Sequence, residues 1–259
     1  MTQETILKIE GNIAVLYLNC PENRNAISRA LLGSFAVALK KVSDDKNIRS
    51  LIVTSSDPRA FCAGADLKER TSMTQEEVFS FLDDLRNVFR ILETLSVPTI
   101  AVINGDAYGG GLELALCCDI RIISENAKIG LTETKLGIIP GAGGTQRLTR
   151  LIGESRAKEL IFSARRISSD ETVNFGIVNH SYPSSMVLEK SMELAKEFSS
   201  SAPIAVQLAK GAISEGFGKE IDEALYIERK YYMKTLDTKD RQEALMAFKE
   251  KRRPVFKGE

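Results

Sequence analysis

Two glutamates stand out because a carboxylate is expensive where each of them sits. Glu113 lies in Gly111-Leu112-Glu113-Leu114-Ala115-Leu116-Cys117-Cys118, an otherwise apolar run. Burying an uncompensated charge is unfavourable, so this side chain must be paired, protonated or at work. Desolvation would lift its pKa toward the range that an acid or base uses. A second reading stands beside this one: a glutamate at a helix end near solvent, or in a structural ion pair. Glu133 follows in Ile129-Gly130-Leu131-Thr132-Glu133-Thr134, again after an apolar segment and before a glycine/proline turn.

Two glycine-containing junctions add a different chemistry. Ala63-Gly64-Ala65-Asp66 and Gly109-Gly110-Gly111 each follow an apolar, strand-like segment and precede a helix-like one. Small residues let the backbone approach a ligand, and a helix start leaves N–H groups without partners. Two such groups converging on one oxygen form an oxyanion hole; close helix–strand packing explains a short glycine run equally well. Two carboxylates and two N–H donors are what syn addition of water to an α,β-unsaturated thioester needs. One carboxylate activates the water, the other supplies or orients a proton, and the donors hold the thioester oxygen. Spacing alone does not bring the two glutamates together.

Several other chemistries are excluded by composition. The single histidine, His180, follows Gly176-Ile177-Val178-Asn179 and reads as structural or surface. No multi-histidine metal site can be built in one chain, and no GxSxG elbow accompanies a triad, so acid–base work falls to carboxylates, Lys or Tyr. Cys20, Cys62, Cys117 and Cys118 lack zinc-like spacing and read as reduced and structural rather than as a catalytic thiol. The glycine runs do not match GxGxxG with its later acidic residue, so neither nicotinamide nor flavin is implied. Lys+Arg and Asp+Glu are both 35, a net charge of zero, which argues against a large basic face for nucleic acid. No apolar run reaches the ~18 residues of a membrane span. Met1-Thr2-Gln3-Glu4 has neither a secretory apolar core nor an Arg-rich transit helix. The expected location is cytoplasmic for a bacterial protein and the mitochondrial matrix for a processed eukaryotic one.

The elements that must position these residues are legible in outline. Ile6 to Leu18 predicts two β segments around Gly11-Asn12. Ser28 can cap a helix running to about Val42, with Leu31, Leu32, Phe35 and Leu39 on its apolar side. Leu51-Ile52-Val53 predicts a short buried strand. Thr74 and Glu77 form a capping box for a long helix with Val78, Phe81, Leu82, Leu85, Val88, Phe89, Leu92 and Leu95 on one face. Thr99 to Ile103 and Ile120 to Ile123 read as strands, and Pro140-Gly141-Ala142-Gly143-Gly144 as a turn before a short helix. Helices are expected near 185–199, 203–215, 219–235 and 238–250. Strands recurring between helices favour parallel pairing through crossovers, an α/β class.

Three segments carry a family resemblance. They are Phe61-Cys62-Ala63-Gly64-Ala65-Asp66-Leu67-Lys68, Gly109-Gly110-Gly111-Leu112-Glu113-Leu114-Ala115 and Ile138-Ile139-Pro140-Gly141-Ala142-Gly143-Gly144-Thr145-Gln146-Arg147-Leu148. They resemble, in order, the signature segments of the crotonase (enoyl-CoA hydratase/isomerase) family, and the likeness extends from the first hairpin to Phe248-Lys249-Glu250-Lys251-Arg252. Through Ala65-Asp66-Leu67-Lys68-Glu69-Arg70 and Ala157-Lys158-Glu159-Leu160-Ile161-Phe162-Ser163-Ala164 it looks nearest to the methylglutaconyl-CoA hydratases that also bind AU-rich RNA.

The resemblance implies a spiral of ββα units over 1–195 and a helical C-terminal region over 196–259 that makes trimer contacts, commonly in a hexamer of two trimers. It places the oxyanion donors on the N–H groups of Ala65 and Gly110 and the catalytic glutamates at Glu113 and Glu133. Coenzyme A, part of the substrate rather than a cofactor, is expected near Asn23, Arg24, Gly110 and the segment Ala63, Ala65, Asp66, Leu67 and Lys68, with Lys251 meeting its phosphates. The implied reaction is hydration of a 2-enoyl-CoA in fatty-acid or branched-chain amino-acid breakdown. Hydration of 3-methylglutaconyl-CoA in leucine catabolism and Δ3,Δ2-enoyl-CoA isomerisation are the alternatives. AU-rich RNA binding is not expected as a physiological role: the segment from Arg24 to Phe35 keeps Arg24 and Arg29 but holds no lysine before Lys40.

Overall fold

The computed structural model describes residues 4–259; residues 1–3, within the stretch read above as lacking a leader, lie outside the described residues. The expected hairpin is formed by β1 (Thr5–Glu10) and β2 (Ile13–Leu18), paired antiparallel across Gly11-Asn12. The helix α1 (Arg29–Asp44) follows, and the Ser28 hydroxyl accepts from the Leu31 N–H at 3.1 Å. Its buried positions, Leu31, Leu32, Phe35, Leu39 and Val42, share one side of the helical period.

Three ββα turns then succeed one another. The first is β3 (Ser50–Ser55), β4 (Ala60–Cys62), a single-turn helix α2 (Leu67–Arg70) and the long α3 (Gln75–Glu93). The second is β5 (Thr99–Ile103), β6 (Asp106–Tyr108) and α4 (Gly110–Leu116). The third is β7 (Ile120–Ser124), β8 (Lys128–Gly130), a 3₁₀ turn (Glu133–Leu136), α5 (Gly144–Ile152) and α6 (Glu154–Ser163). The spiral closes with β9 (Ile167–Ser168), α7 (Ser169–Asn174) and β10 (His180–Tyr182).

The longer strand of each turn joins a sheet ordered β1-β2-β3-β5-β7-β10, parallel beyond the hairpin. The shorter strand joins a second sheet ordered β4-β6-β8-β9. The inner strands β3 and β5 of the large sheet are covered on both faces, which is why Leu51-Ile52-Val53 reads as a continuous apolar run and is fully buried. The capping box at α3 is present, with the Thr74 N–H donating to Glu77 at 2.8 Å and the Glu77 N–H donating to Thr74 at 3.3 Å. Three positions of its apolar face depart from expectation. Val78 and Leu82 line a cavity rather than the core, and Leu95 is buried beyond the helix end.

Four helices end the chain: α8 (Val187–Ser200), α9 (Pro203–Gly216), α10 (Ile221–Met233) and α11 (Lys239–Glu250). Val187 and Ala195 of α8 pack with Ile13, Val15, Ile52, Ile100, Val102 and Ile122 on one face of the large sheet. By contrast, α9 buries no side chain and α10 only Ile227. Among the described residues no helix is long and apolar enough to cross a membrane.

Two contacts lock the first turn in place, one to the segment before α1 and one to the second turn. Asn25 is fully buried, and its side-chain amide donates to Ser55 Oγ at 2.7 Å and to the carbonyls of Ala60 and Phe61, both at 3.1 Å. Gly111, in the first turn of α4, packs directly on β4, where a Cβ would overlap the Cys62 carbonyl. Overpacking at such a backbone contact costs roughly 1–3 kcal/mol. Gly111→Ala is therefore expected to lower the thermal midpoint by several degrees; an unchanged midpoint would contradict the close approach of α4 to β4.

Candidate active site

Each ββα turn delivers one part of the site immediately after its short strand. β4 leads to Ala65, β6 to Gly110 and Glu113, and β8 to Glu133. They meet at a cavity of about 1120 Å³ lined by Ala63, Gly64, Ala65, Leu67, Gly110, Glu113 and Glu133 among others. Segment 24–27 straps the first of these loops: Ala63 N–H donates to Arg24 O, Ile27 N–H to Gly64 O, and Asp66 N–H to Ile27 O. Gly64 takes φ 97°, a left-handed conformation that favours glycine. A Cβ there would lie 2.8 Å from the Tyr108 carbonyl and 3.4 Å from the Gly110 nitrogen, so the two loops touch through their backbones.

The consequence is a pair of adjacent amides. A Cβ built on Gly110 would sit 3.5 Å from the Ala65 nitrogen. Gly110 is the first residue of α4, where the helical ladder supplies no acceptor for its N–H. Neither the Ala65 nor the Gly110 N–H is engaged by a backbone or side-chain acceptor among the described residues.

The two glutamates differ in how they are held. Glu113 is 2% exposed, and its Oε1 accepts the N–H groups of Ala142 at 2.8 Å and Gly144 at 2.7 Å. The loop that presents those amides is clamped from outside. Arg147 donates to the Ala142 carbonyl at 2.8 Å while pairing with Glu93 through two nitrogens, and Arg86 Nε donates to the Gly141 carbonyl at 2.9 Å. Glu133 is 8% exposed, and both its carboxylate oxygens are buried without a hydrogen-bond partner.

Burial raises both carboxyl pKa values. That of Glu133 is pushed up to about 7, first by burial and then by the negative charge of Glu113. Burial also raises Glu113, opposed by the Gly144 and Ala142 amides and by the charges of Arg147 and Arg86. Two facing carboxylates in an apolar site resist ionising together. The two amide donors favour the charged form at Glu113 over that at Glu133. Two unequally held carboxyl groups thus line one cavity with two unengaged backbone amides.

The thiols take no part in this. All four cysteines are free and buried; burial pushes Cys20, Cys62 and Cys118 up to about 12 and raises Cys117 as well. Among the described residues no three His, Cys, Asp or Glu side chains gather as a metal site requires. His180 is exposed and pairs with Ile122 at the start of β10, away from the cavity lining.

Of the expected coenzyme A contacts, Ala63, Ala65, Leu67 and Gly110 line the cavity. Asn23, Arg24, Asp66, Lys68 and Lys251 do not. Asp66 instead caps α2, accepting from Lys68 N–H at 2.9 Å and Glu69 N–H at 3.3 Å. Arg24 and Lys251 end a 3₁₀ turn and α11 in left-handed conformations. Sequence reasoning missed the basic lining residues Arg70, Arg86, Lys135, Arg165 and Arg166. For Arg86 a signal existed: it lies one helical turn beyond Leu82, on the same side of α3.

Comparison with known proteins agrees with this geometry. Residues 8–259 match the family described as enoyl-CoA hydratase/isomerase. A mitochondrial methylglutaconyl-CoA hydratase of Mus musculus is 48% identical over 251 residues, 95% of this chain and 80% of the relative. An enoyl-CoA isomerase/hydratase of Mycosarcoma maydis is 47% identical over 252 residues, 94% of this chain and 92% of the relative. The crystal structure of an enoyl-CoA hydratase from Bacillus anthracis superposes with a TM-score of 0.97 at 46% identity, covering 99% of this chain and all of that one. With its two-sheet ββα spiral, paired amides and buried carboxylates, the chain belongs to the enoyl-CoA hydratase/isomerase family, the crotonases.

Proposed function

We propose that the protein hydrates 2-enoyl-CoA thioesters, with Glu113 and Glu133 as acid–base pair and the N–H groups of Ala65 and Gly110 as oxyanion donors. The observation that carries this reading is the asymmetry of the buried pair. Glu113 is held by two amides, whereas Glu133 has no partner and a pKa near 7. The substrate carbonyl accepts from the two amides, which draws electron density from the C3 carbon. Ionised Glu113 takes a proton from water as the water oxygen bonds to C3. Protonated Glu133 gives its proton to C2 as the enolate collapses. The two carboxylates act from one side of the substrate, so the addition is syn. The proton gained by Glu113 then returns to Glu133, and the net change is addition of one water.

A Δ3,Δ2-enoyl-CoA isomerase is the second reading, favoured by the double name of the Mycosarcoma maydis relative. Isomerisation needs one carboxylate to shuttle one proton, so the discriminating feature is which glutamate is indispensable. Substitution distinguishes them. Glu113→Gln and Glu133→Gln are each expected to lower the hydration rate roughly 10²–10⁴-fold, followed as loss of conjugated-thioester absorbance, with coenzyme A binding retained. Near-normal hydration in either variant contradicts the two-carboxylate mechanism.

The same pair makes a stability prediction of opposite sign. The folded pKa of Glu133, about 7, lies above the ordinary value of 4.5. Below pH 4.5 the side chain is protonated in both folded and unfolded chains and costs nothing. As pH rises to 7 the unfolded chain releases its proton first, so stability is lost across that window. Glu133→Gln removes the loss and is expected to be more stable than the native chain at pH 8 by on the order of 2–3 kcal/mol, with little difference near pH 4.5. Equal stabilities at both pH values, by denaturant titration, would contradict the raised pKa.

We also propose a homotrimer, or a hexamer of two trimers, built through the C-terminal helices over 196–259. Support comes from their exposed apolar side chains, among them Phe217, Ile221, Tyr226, Leu245 and Phe248, the last 86% exposed. Large apolar side chains left exposed in such number are what an interface would cover. Light scattering is expected to give three or six times the chain mass; a monomer would contradict it.

A further inference from the structure

Arg147 and Glu93 do not line the cavity, yet both are tied to the loop that holds Glu113. Arg147 lies in the first turn of α5, the helix whose leading amide, Gly144 N–H, donates to Glu113. Its guanidinium folds back over that turn. Nη1 donates to the Ala142 carbonyl at 2.8 Å, Nε to Glu93 Oε1 at 2.9 Å and Nη2 to Glu93 Oε2 at 3.0 Å. Glu93 is the last residue of α3 and also accepts from Arg90 at 2.7 Å. The Ala142 carbonyl belongs to the peptide between the two amides that Glu113 accepts, so fixing it restrains both.

Gly143 makes room for this arrangement. It takes φ 104°, a left-handed conformation, and a Cβ there would overlap Arg147 Nη1. The other anchor of the loop, Arg86 on the Gly141 carbonyl, is looser: its side chain is 58% exposed against 20% for Arg147, and Asp83 meets it only at 3.5 Å. Exposed pairs contribute little, whereas a two-nitrogen fork on a carboxylate sets the plane of the guanidinium. The charged groups felt at Glu113 are Glu133 on the 3₁₀ turn, Arg147 on α5 and Arg86 on α3. Among the elements packed on α4, β4 offers only the buried Cys62 thiol, Asp106 and Tyr108 of β6 are hydrogen-bonded to each other, and Arg150 of α5 is turned to Gln146. Cys117, on α4 itself, is a neutral thiol that donates to the Glu113 carbonyl.

We propose that Arg147 is a positioning residue: held by Glu93, it fixes the Ala142 and Gly144 amides on Glu113 and so keeps that carboxylate charged as the base. The inference rests on the hydratase reading above and names what controls its base. Two amides on one carboxylate oxygen favour the ionised form, as does the positive end of α5. The charge of Arg147 adds to them. The guanidinium thus serves Glu113 through the peptide it holds and through its own charge, from behind the cavity wall.

The test is the pH profile of kcat/KM for crotonyl-CoA hydration in the native enzyme, Arg147→Gln and Arg147→Lys. Its acid limb reports ionisation of the base in the free enzyme. In Arg147→Gln that limb is expected to move to higher pH by about one unit, a roughly tenfold loss of ionised base on the acid side, with KM little changed. Arg147→Lys keeps the charge but not the fork, so its limb is expected to lie between the other two. A limb at its native position in Arg147→Gln, with activity lowered evenly at every pH, marks a merely structural role and overturns the assignment. A fully native profile in Arg147→Lys overturns it as well, since charge alone would then suffice; this variant decides alone if Arg147→Gln does not fold. A native enzyme that hydrates no enoyl-CoA removes the hydratase reading, and the Glu113 carboxyl resonance, titrated by NMR without substrate in the same three proteins, then shows the shift or its absence.

Discussion

Two buried carboxylates line one cavity, and most of the local architecture follows from that. A single buried Glu can be neutralised by protonation, but two facing each other must divide one proton between them. The division is decided by backbone amides. Ala142 and Gly144 donate to Glu113, whereas among the described residues the Glu133 oxygens have no partner at hydrogen-bond distance. Because amides on a mobile loop would lose that selectivity, the 140–144 loop is clamped by Arg147, Arg86 and Glu93 from neighbouring helices. The asymmetry between the two carboxylates is thus a property of packing at some distance from the carboxylates themselves.

The ββα spiral suits this task because it repeats. Each turn runs a long strand through the large sheet and a short strand through the small one, then releases the chain into the cavity. Parallel pairing places all three releases at the same end of the small sheet. Ala65, Gly110 and Glu133 come from three successive turns yet converge, since neighbouring turns are only one strand apart. Contacts with almost no tolerance, such as Gly111 on Cys62 and Gly64 on Tyr108, set the spacing of the first two. Functional groups on loops held by a rigid sheet are a common solution; here the sheet strands are only two or three residues long, and the precision comes from backbone contact.

Legibility in the sequence followed the length of the signal. The hairpin, the Ser28 cap, the Thr74–Glu77 capping box and the four C-terminal helices were readable from local chemistry because each extends over a turn or more. The small sheet was not: strands such as Asp106–Tyr108 and Ile167–Ser168 are too short to show a period. Glu113 was legible as a lone carboxylate in an apolar run. Glu133 drew weaker notice, and only the family resemblance joined it to Glu113, since proximity in space leaves no mark in spacing. Val78 and Leu82 looked like core because an apolar cavity wall and a core face share the same pattern. The loop-borne charges were hardest: Asp66, which the resemblance assigns to coenzyme A, is occupied here as a helix cap, while the wall cation Arg86 carried only a positional hint on α3.

The central claim is that the Glu113–Glu133 pair holds one proton at neutral pH, and it can be measured without substrate. Protein labelled with ¹³C at the glutamate carboxyl carbons would be titrated by NMR, with assignments from Glu113→Gln and Glu133→Gln. The account predicts a Glu133 resonance titrating near pH 7, shifted down but still above the ordinary glutamate value when Glu113→Gln removes the neighbouring charge, because burial is the larger cause. Two carboxyl groups that both titrate near 4.5 would contradict the account, since neither would then hold a proton at the pH where hydration requires an acid.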